Sequence, residues 1–191
     1  MTKILVHVAH LITAVFYFFQ LPHISPATIL GVMEELYKLL RDQNIEVREA
    51  AAETLSGLVR CSQRSFTLDL KKRFTETVSA NSVLPRRRLE NGDVNPNYAP
   101  AVLKLHSGIL GICALINAFP YDVPSWMPEL LAGVLAEHVS NSDTVISSTI
   151  RKTAQDWRRT HQDSWSENIH KFNEEQLSEL SSLFLGECYF A

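Results

Sequence analysis

Residues 101–119, AVLKLHSGILGICALINAF, make one almost wholly apolar stretch of helical character. A helix that is hydrophobic all round has no face to give to water, so it must be covered on both sides. A helix buried between two neighbours is what stacked helical repeats are built from. The chain around it supplies such neighbours.

Ser25 is a suitable N-cap and Pro26 a suitable first helical residue. Ile29, Leu30, Met33, Leu36, Tyr37 and Leu40 then recur at the spacing of one helix face. Arg41-Asp42-Gln43-Asn44 is a polar turn, and a second helix is expected from about Ile45 to Cys61. Its apolar positions are Val47, Ala50, Ala51, Leu55, Leu58 and Val59. Asp42 followed by Val47-Arg48, Ala50-Ala51 and Leu55 resembles the inner helix of a HEAT repeat. Alanines let two helices approach closely, an Asp in the turn can cap the next helix, and the Arg can reach a neighbouring turn. Further helices are expected over 65–80, 101–119, 127–139 and 143–161. A last one is opened by Asn173-Glu174-Glu175-Gln176, which is close to a capping box. No run alternates with period two, so no sheet is expected. The fold class is therefore all-α, a HEAT-like helical-repeat solenoid with a short extended C-terminal tail. HEAT-like repeats are expected over 1–161 with a loop at 81–100, a capping helix region over 162–185, and the tail over 186–191.

Ile4–Leu21 is apolar and follows Lys3, which raises the question of a signal peptide or anchor. No small-residue cleavage site follows it, and His7 and His10 interrupt it. It is read as a solenoid helix rather than a membrane segment. With no preceding repeat to cover it, this helix is expected to self-associate or to continue into a longer protein.

The net charge of −3 argues against direct nucleic-acid binding, which needs a basic surplus or face. Cys61, Cys113 and Cys188 are widely spaced and form no framework, as expected of reduced thiols. Cys61 and Cys113 fall in apolar helical runs and are assigned to packing. Trp126, Trp157 and Trp165 are read as core or inter-repeat anchors, and His106 and His138 as helix-surface or packing residues. His7 and His10 share a helix face without a further ligand, so no metal is expected. No phosphate loop, nucleophile elbow or HExxH motif appears, so neither an enzyme nor a cofactor is expected. Arg86-Arg87-Arg88 lies in the long loop as a possible contact for an acidic partner.

Four stretches together resemble the large HEAT-repeat proteasome activators. They are Glu46–Leu58 (EVREAAAETLSGL), Pro120–Leu131 (PYDVPSWMPELL), Arg158–Trp165 (RRTHQDSW) and Cys188-Tyr189-Phe190-Ala191. The resemblance covers most of residues 26–191, in one order and with similar spacing. It implies a non-catalytic cap on the end of the 20S core particle, bound at the α-ring. That cap would favour ubiquitin-independent degradation, including that of acetylated histones, in cytoplasm and nucleus. It also implies that Tyr189, Phe190 and Ala191 enter a pocket between core subunits. The family has tyrosine where this chain has Phe190, which keeps the ring and loses a hydroxyl. A family region associated with acetyl-lysine overlaps the first part of the chain. The residues there, Ser62-Gln63-Arg64, assign no reader pocket, and the family's basic loop is reduced to Arg86–Arg88. A generic helical-repeat adaptor is the alternative, and it gives the chain end no role.

Overall fold

In the computed structural model, residues 25–60 and 64–185 are described. The expected helix over Ile4–Leu21, Cys61, Cys188 and the tail lie outside those residues. The described residues are all-α. No strand occurs among them, and one isolated bridge pairs Arg88 with Val94. The chain divides into two compact units between Leu115 and Ile116.

In the first unit, α1 (Pro26–Leu39) starts where the sequence places it. The Ser25 hydroxyl accepts the Thr28 N–H at 3.2 Å, and Pro26 occupies the first turn. Met33, Leu36 and Leu40 are buried, spaced three and four apart. The Asp42 carboxylate accepts the Asn44 N–H at 2.8 Å and shapes the turn into α2 (Ile45–Arg60). α3 (Arg64–Ala80) follows, and Tyr37 of α1 packs edge-on against its Phe74, with centroids 6.0 Å apart. The Arg73 guanidinium sits 3.5 Å over the Tyr37 ring. Burial in this contact raises the tyrosine's pKa, and the Arg73 charge partly opposes the rise.

α4 (Tyr98–Asn117) is the apolar helix, and every residue from Leu105 to Ile116 is buried, as an all-round hydrophobic helix requires. By length and composition α4 would also pass for a membrane span, but 67% of its most apolar window is buried inside the protein. Its glycines explain how α3 comes so near. A Cβ on Gly111 would run into the Phe74 ring. α4 begins at Tyr98, three residues before the expected start. Pro100 reads as a loop residue in sequence, yet the first turn of a helix needs no N–H from it. The connection from α3 is correspondingly shorter.

The second unit departs further from expectation. Met127–Val139 reads as an ordinary α-helix, but Glu129–Leu135 is π-helical and passes into a single α turn, α5 (Ala136–His138). Leu130 and Leu135, like Leu131 and Ala136, are buried five residues apart, the repeat of i→i+5 bonding. The Asp143 carboxylate caps α6 (Thr144–His161), accepting from Val145 N–H at 3.1 Å and Ile146 N–H at 3.4 Å. A short α7 (Trp165–Asn168) and a 3-10 turn, Ile169–Lys171, come next, both unforeseen. α8 (Glu174–Leu185) opens with a full reciprocal box. The Gln176 N–H donates to Asn173 Oδ1 at 2.7 Å, and the Asn173 N–H donates to Gln176 Oε1 at 3.0 Å.

Candidate functional site

Trp157 organises the second unit. Its indole N–H points to Met127 Sδ at 3.2 Å, so the buried ring keeps a partner for its polar atom. His161, one turn on, stacks on it at 4.7 Å. Trp165 and Phe172 meet it edge-on at 6.1 and 6.0 Å. Phe184, near the end of α8, lies parallel to it at 6.3 Å, with the Arg158 guanidinium 5.3 Å from the phenyl centroid. The last described helix is thereby fastened within two residues of its C-terminal end.

The same cluster holds the loop before the π segment. His161 Nδ1 lies 2.9 Å from the Trp157 carbonyl, and its Nε2 lies 3.3 Å from the Asp122 carbonyl. Lys171 Nζ donates to the Val123 carbonyl at 3.0 Å and lies 3.5 Å from the Asp122 carboxylate. The Pro120–Leu131 and Arg158–Trp165 stretches, distant in sequence, are therefore joined in space. Trp157, Arg158, His161, Trp165, Leu180 and Phe184 line a groove of about 800 Å³.

Trp126 and Trp157 are buried and Trp165 is half-buried, which fits their reading as anchors. Trp157 and Trp165 also border the groove, which their spacing in sequence did not announce. His106 and His138 are both buried, so they are packing residues, and Cys113 is buried with them. Arg86, Arg87 and Arg88 are exposed, on a folded hairpin rather than an irregular loop. Asn95 binds the Arg86 and Arg87 carbonyls at 2.9 and 3.0 Å, and the Arg88 guanidinium donates to the Gly92 carbonyl. The Gly92 N–H donates to the Leu89 carbonyl, and Gly92 has φ 87°, the left-handed conformation that closes such a hairpin. Asn91-Gly92 was the signal in sequence. Tyr189, Phe190 and Ala191 lie outside the described residues. The described residues contain no group of three or more metal-ligating side chains.

Comparison with known proteins first fixes the class. Residues 32–62 match the HEAT repeat model, spanning α2 and part of α1, so the all-α architecture is that of a HEAT-type helical-repeat protein. Residues 102–191 match the family described as Proteasome activator complex subunit 4-like, C-terminal. The chain is 38% identical over 164 residues to proteasome activator complex subunit 4A of Danio rerio, covering 85% of this chain and 9% of that protein. It is 36% identical over 180 residues to subunit 4 of Xenopus laevis, covering 94% of this chain and 10% of that protein. To subunit 4 of Homo sapiens it is 39% identical over 154 residues, covering 80% of this chain and 8% of that protein. The chain belongs to the proteasome activator subunit 4 family and corresponds to its C-terminal region. It spans about a tenth or less of the length of these relatives.

Proposed function

We propose that this chain acts as the C-terminal part of a proteasome activator, with Tyr189-Phe190-Ala191 as the element that enters the α-ring of the core particle. The observation that carries the reading is the family match, which runs through residue 191. The aromatic cluster supports it, because a docking tail works best when launched from a fixed point. Phe184 is stacked against Trp157 within a few residues of the tail. A terminal carboxylate paired with a lysine, and one buried tyrosine ring, would supply the contacts. Phe190 fills the penultimate position without a hydroxyl. Docking therefore survives better than gate opening if that hydroxyl normally bonds a core carbonyl, a bond of about 1 kcal/mol. Peptides and acetylated histones, degraded without ubiquitin in cytoplasm and nucleus, are the substrates this role entails.

Co-sedimentation with purified core particle tests the reading. Removal of Tyr189–Ala191 is expected to weaken binding, and so is amidation of Ala191. In a cap that docks, Phe190→Tyr is expected to raise hydrolysis of a fluorogenic peptide more than it raises binding. Unchanged binding after both truncation and amidation rejects the tail as the docking element and favours a helical-repeat adaptor.

A further inference from the structure

The groove beside Trp157 has no role in the aromatic packing that creates it, and its walls are specific in kind. Trp157, His161 and Leu180 are nearly fully buried and form its floor, while half-buried Trp165, Leu177 and Phe184 and exposed Ile169 supply the apolar surface open to a ligand. Arg158 brings a positive charge to the rim. It is exposed, and no carboxylate among the described residues pairs with it. A ligand for such a groove carries an aromatic ring next to a negative charge.

The chain itself holds a segment of that chemistry, two residues after the Phe184 wall in sequence. Residues 186–191 read Gly-Glu-Cys-Tyr-Phe-Ala, with one carboxylate at Glu187 and two rings at Tyr189 and Phe190. The segment follows Leu185 directly, and Phe184 is part of the groove wall. Six residues reach about 20 Å when extended, and Gly186 permits the reversal that a return path needs. We propose that the groove is a resting seat for the chain's own tail. An aromatic ring of Tyr189 or Phe190 enters beside Trp157 and Trp165, and Glu187 or the terminal carboxylate faces Arg158. The seat and the core particle then compete for the same residues, so the tail is released only when a core pocket is offered. The competition rests on the docking role proposed above, whereas occupation of the groove does not.

Cys188 makes the seat measurable in the full chain. Ser181 lines the groove, and its neighbour Ser182 is exposed and does not line it. Both are nearly the same number of residues from Cys188, so an unstructured tail would find them equally often. Under mild oxidation by oxidised glutathione, Ser181→Cys is expected to form an intrachain disulfide with Cys188 roughly tenfold or more faster than Ser182→Cys, the effect of a raised effective concentration. Adding Arg158→Glu to the Ser181→Cys chain should remove most of that advantage. Equal rates at the two positions overturn the proposal. So does a bridge formed chiefly between two chains, which would make a second copy the occupant. A separate reading needs no new cysteine. Replacing Tyr189 and Phe190 together by serine should move the tryptophan emission to the red as water enters the groove, and an unchanged spectrum counts against the seat. Core-particle binding is scored on the same samples. The oxidised Ser181→Cys chain should lose binding and regain it on reduction. If no form of the chain binds core particle, the docking role fails while the disulfide ratio still decides the groove.

Discussion

The two units are fastened by opposite kinds of chemistry. In the first, the key residue is a buried cation. Arg48, 6% exposed, donates to the Asp42 and Gln43 carbonyls at 2.7 and 3.0 Å, and through Nε to His106 Nδ1 at 3.0 Å. One planar fork thus ties the α1–α2 turn to α4. In the second unit the key residue is a buried indole, with four rings around it and a single polar contact. A cation buried this way depends on the direction of each hydrogen bond, and a ring cluster depends on filled volume. Each unit therefore tolerates a different kind of change. Volume-conserving swaps should be mild around Trp157 and severe at Arg48.

The largest expected effect tests the volume half of that contrast. Trp157→Ala should cost about 3–5 kcal/mol, the usual range for emptying a large aromatic site. It also removes the surface that holds Phe184, so amide exchange in α8 should rise with it. Trp157→Phe keeps a ring and should cost less than half as much. Equal losses from Ala and Phe in denaturant melts would show that the indole N–H to Met127, rather than filled volume, carries the cluster.

Arg48 tests the other half and ranks next. Arg48→Met keeps most of the side-chain volume yet should cost about 2–3 kcal/mol, because acceptors around it lose their donor. Arg48→Lys should recover little, since an ammonium cannot serve the turn carbonyls and His106 with one rigid fork. A lysine variant as stable as the parent would mean that charge rather than geometry matters here. Chemical denaturation followed by tyrosine and tryptophan signals separates these outcomes.

How far the sequence disclosed these features depends on how local each one is. The HEAT-like pattern around Asp42 and Arg48 was legible, but Asp42, expected to cap α2, instead accepts the Asn44 N–H in the turn ahead of the helix. The arginine was expected to reach a neighbouring turn. It grips the carbonyls of the turn just before its own helix, and its third partner, His106, is 58 residues away. No local pattern encodes a pairing of that range. The π-helical segment was hidden because apolar residues five apart look much like those three and four apart over so short a run. α7 was missed because Ser164 makes no side-chain cap bond to it. Asn168 instead donates to the Ser164 carbonyl at 3.0 Å and hydroxyl at 3.2 Å. The groove was missed for a different reason. Each tryptophan was correctly placed as an anchor, but a concave surface is a property of α6, α7 and α8 together.

The smallest expected effect sits at the start of α8, where a local signal and the aromatic cluster bear on one helix. Asn173 and Gln176 satisfy two N–H groups reciprocally at that end. The other end is held by Phe184 against Trp157. Asn173→Ala removes a side-chain acceptor and should cost about 1 kcal/mol, the usual loss for an N-cap. Asn173→Ser keeps an acceptor within reach of the Gln176 N–H and should cost only a few tenths. If α8 were held chiefly by its cap, Asn173→Ala would release the whole helix, and exchange at Leu183 and Phe184 would rise as much as exchange at Gln176 and Leu177. If the ring cluster holds it, the rise stays in the first turn and fades toward Phe184. Residue-level hydrogen exchange on the alanine variant distinguishes the two. A uniform rise along α8 would move the anchor of this helix from Trp157 to Asn173.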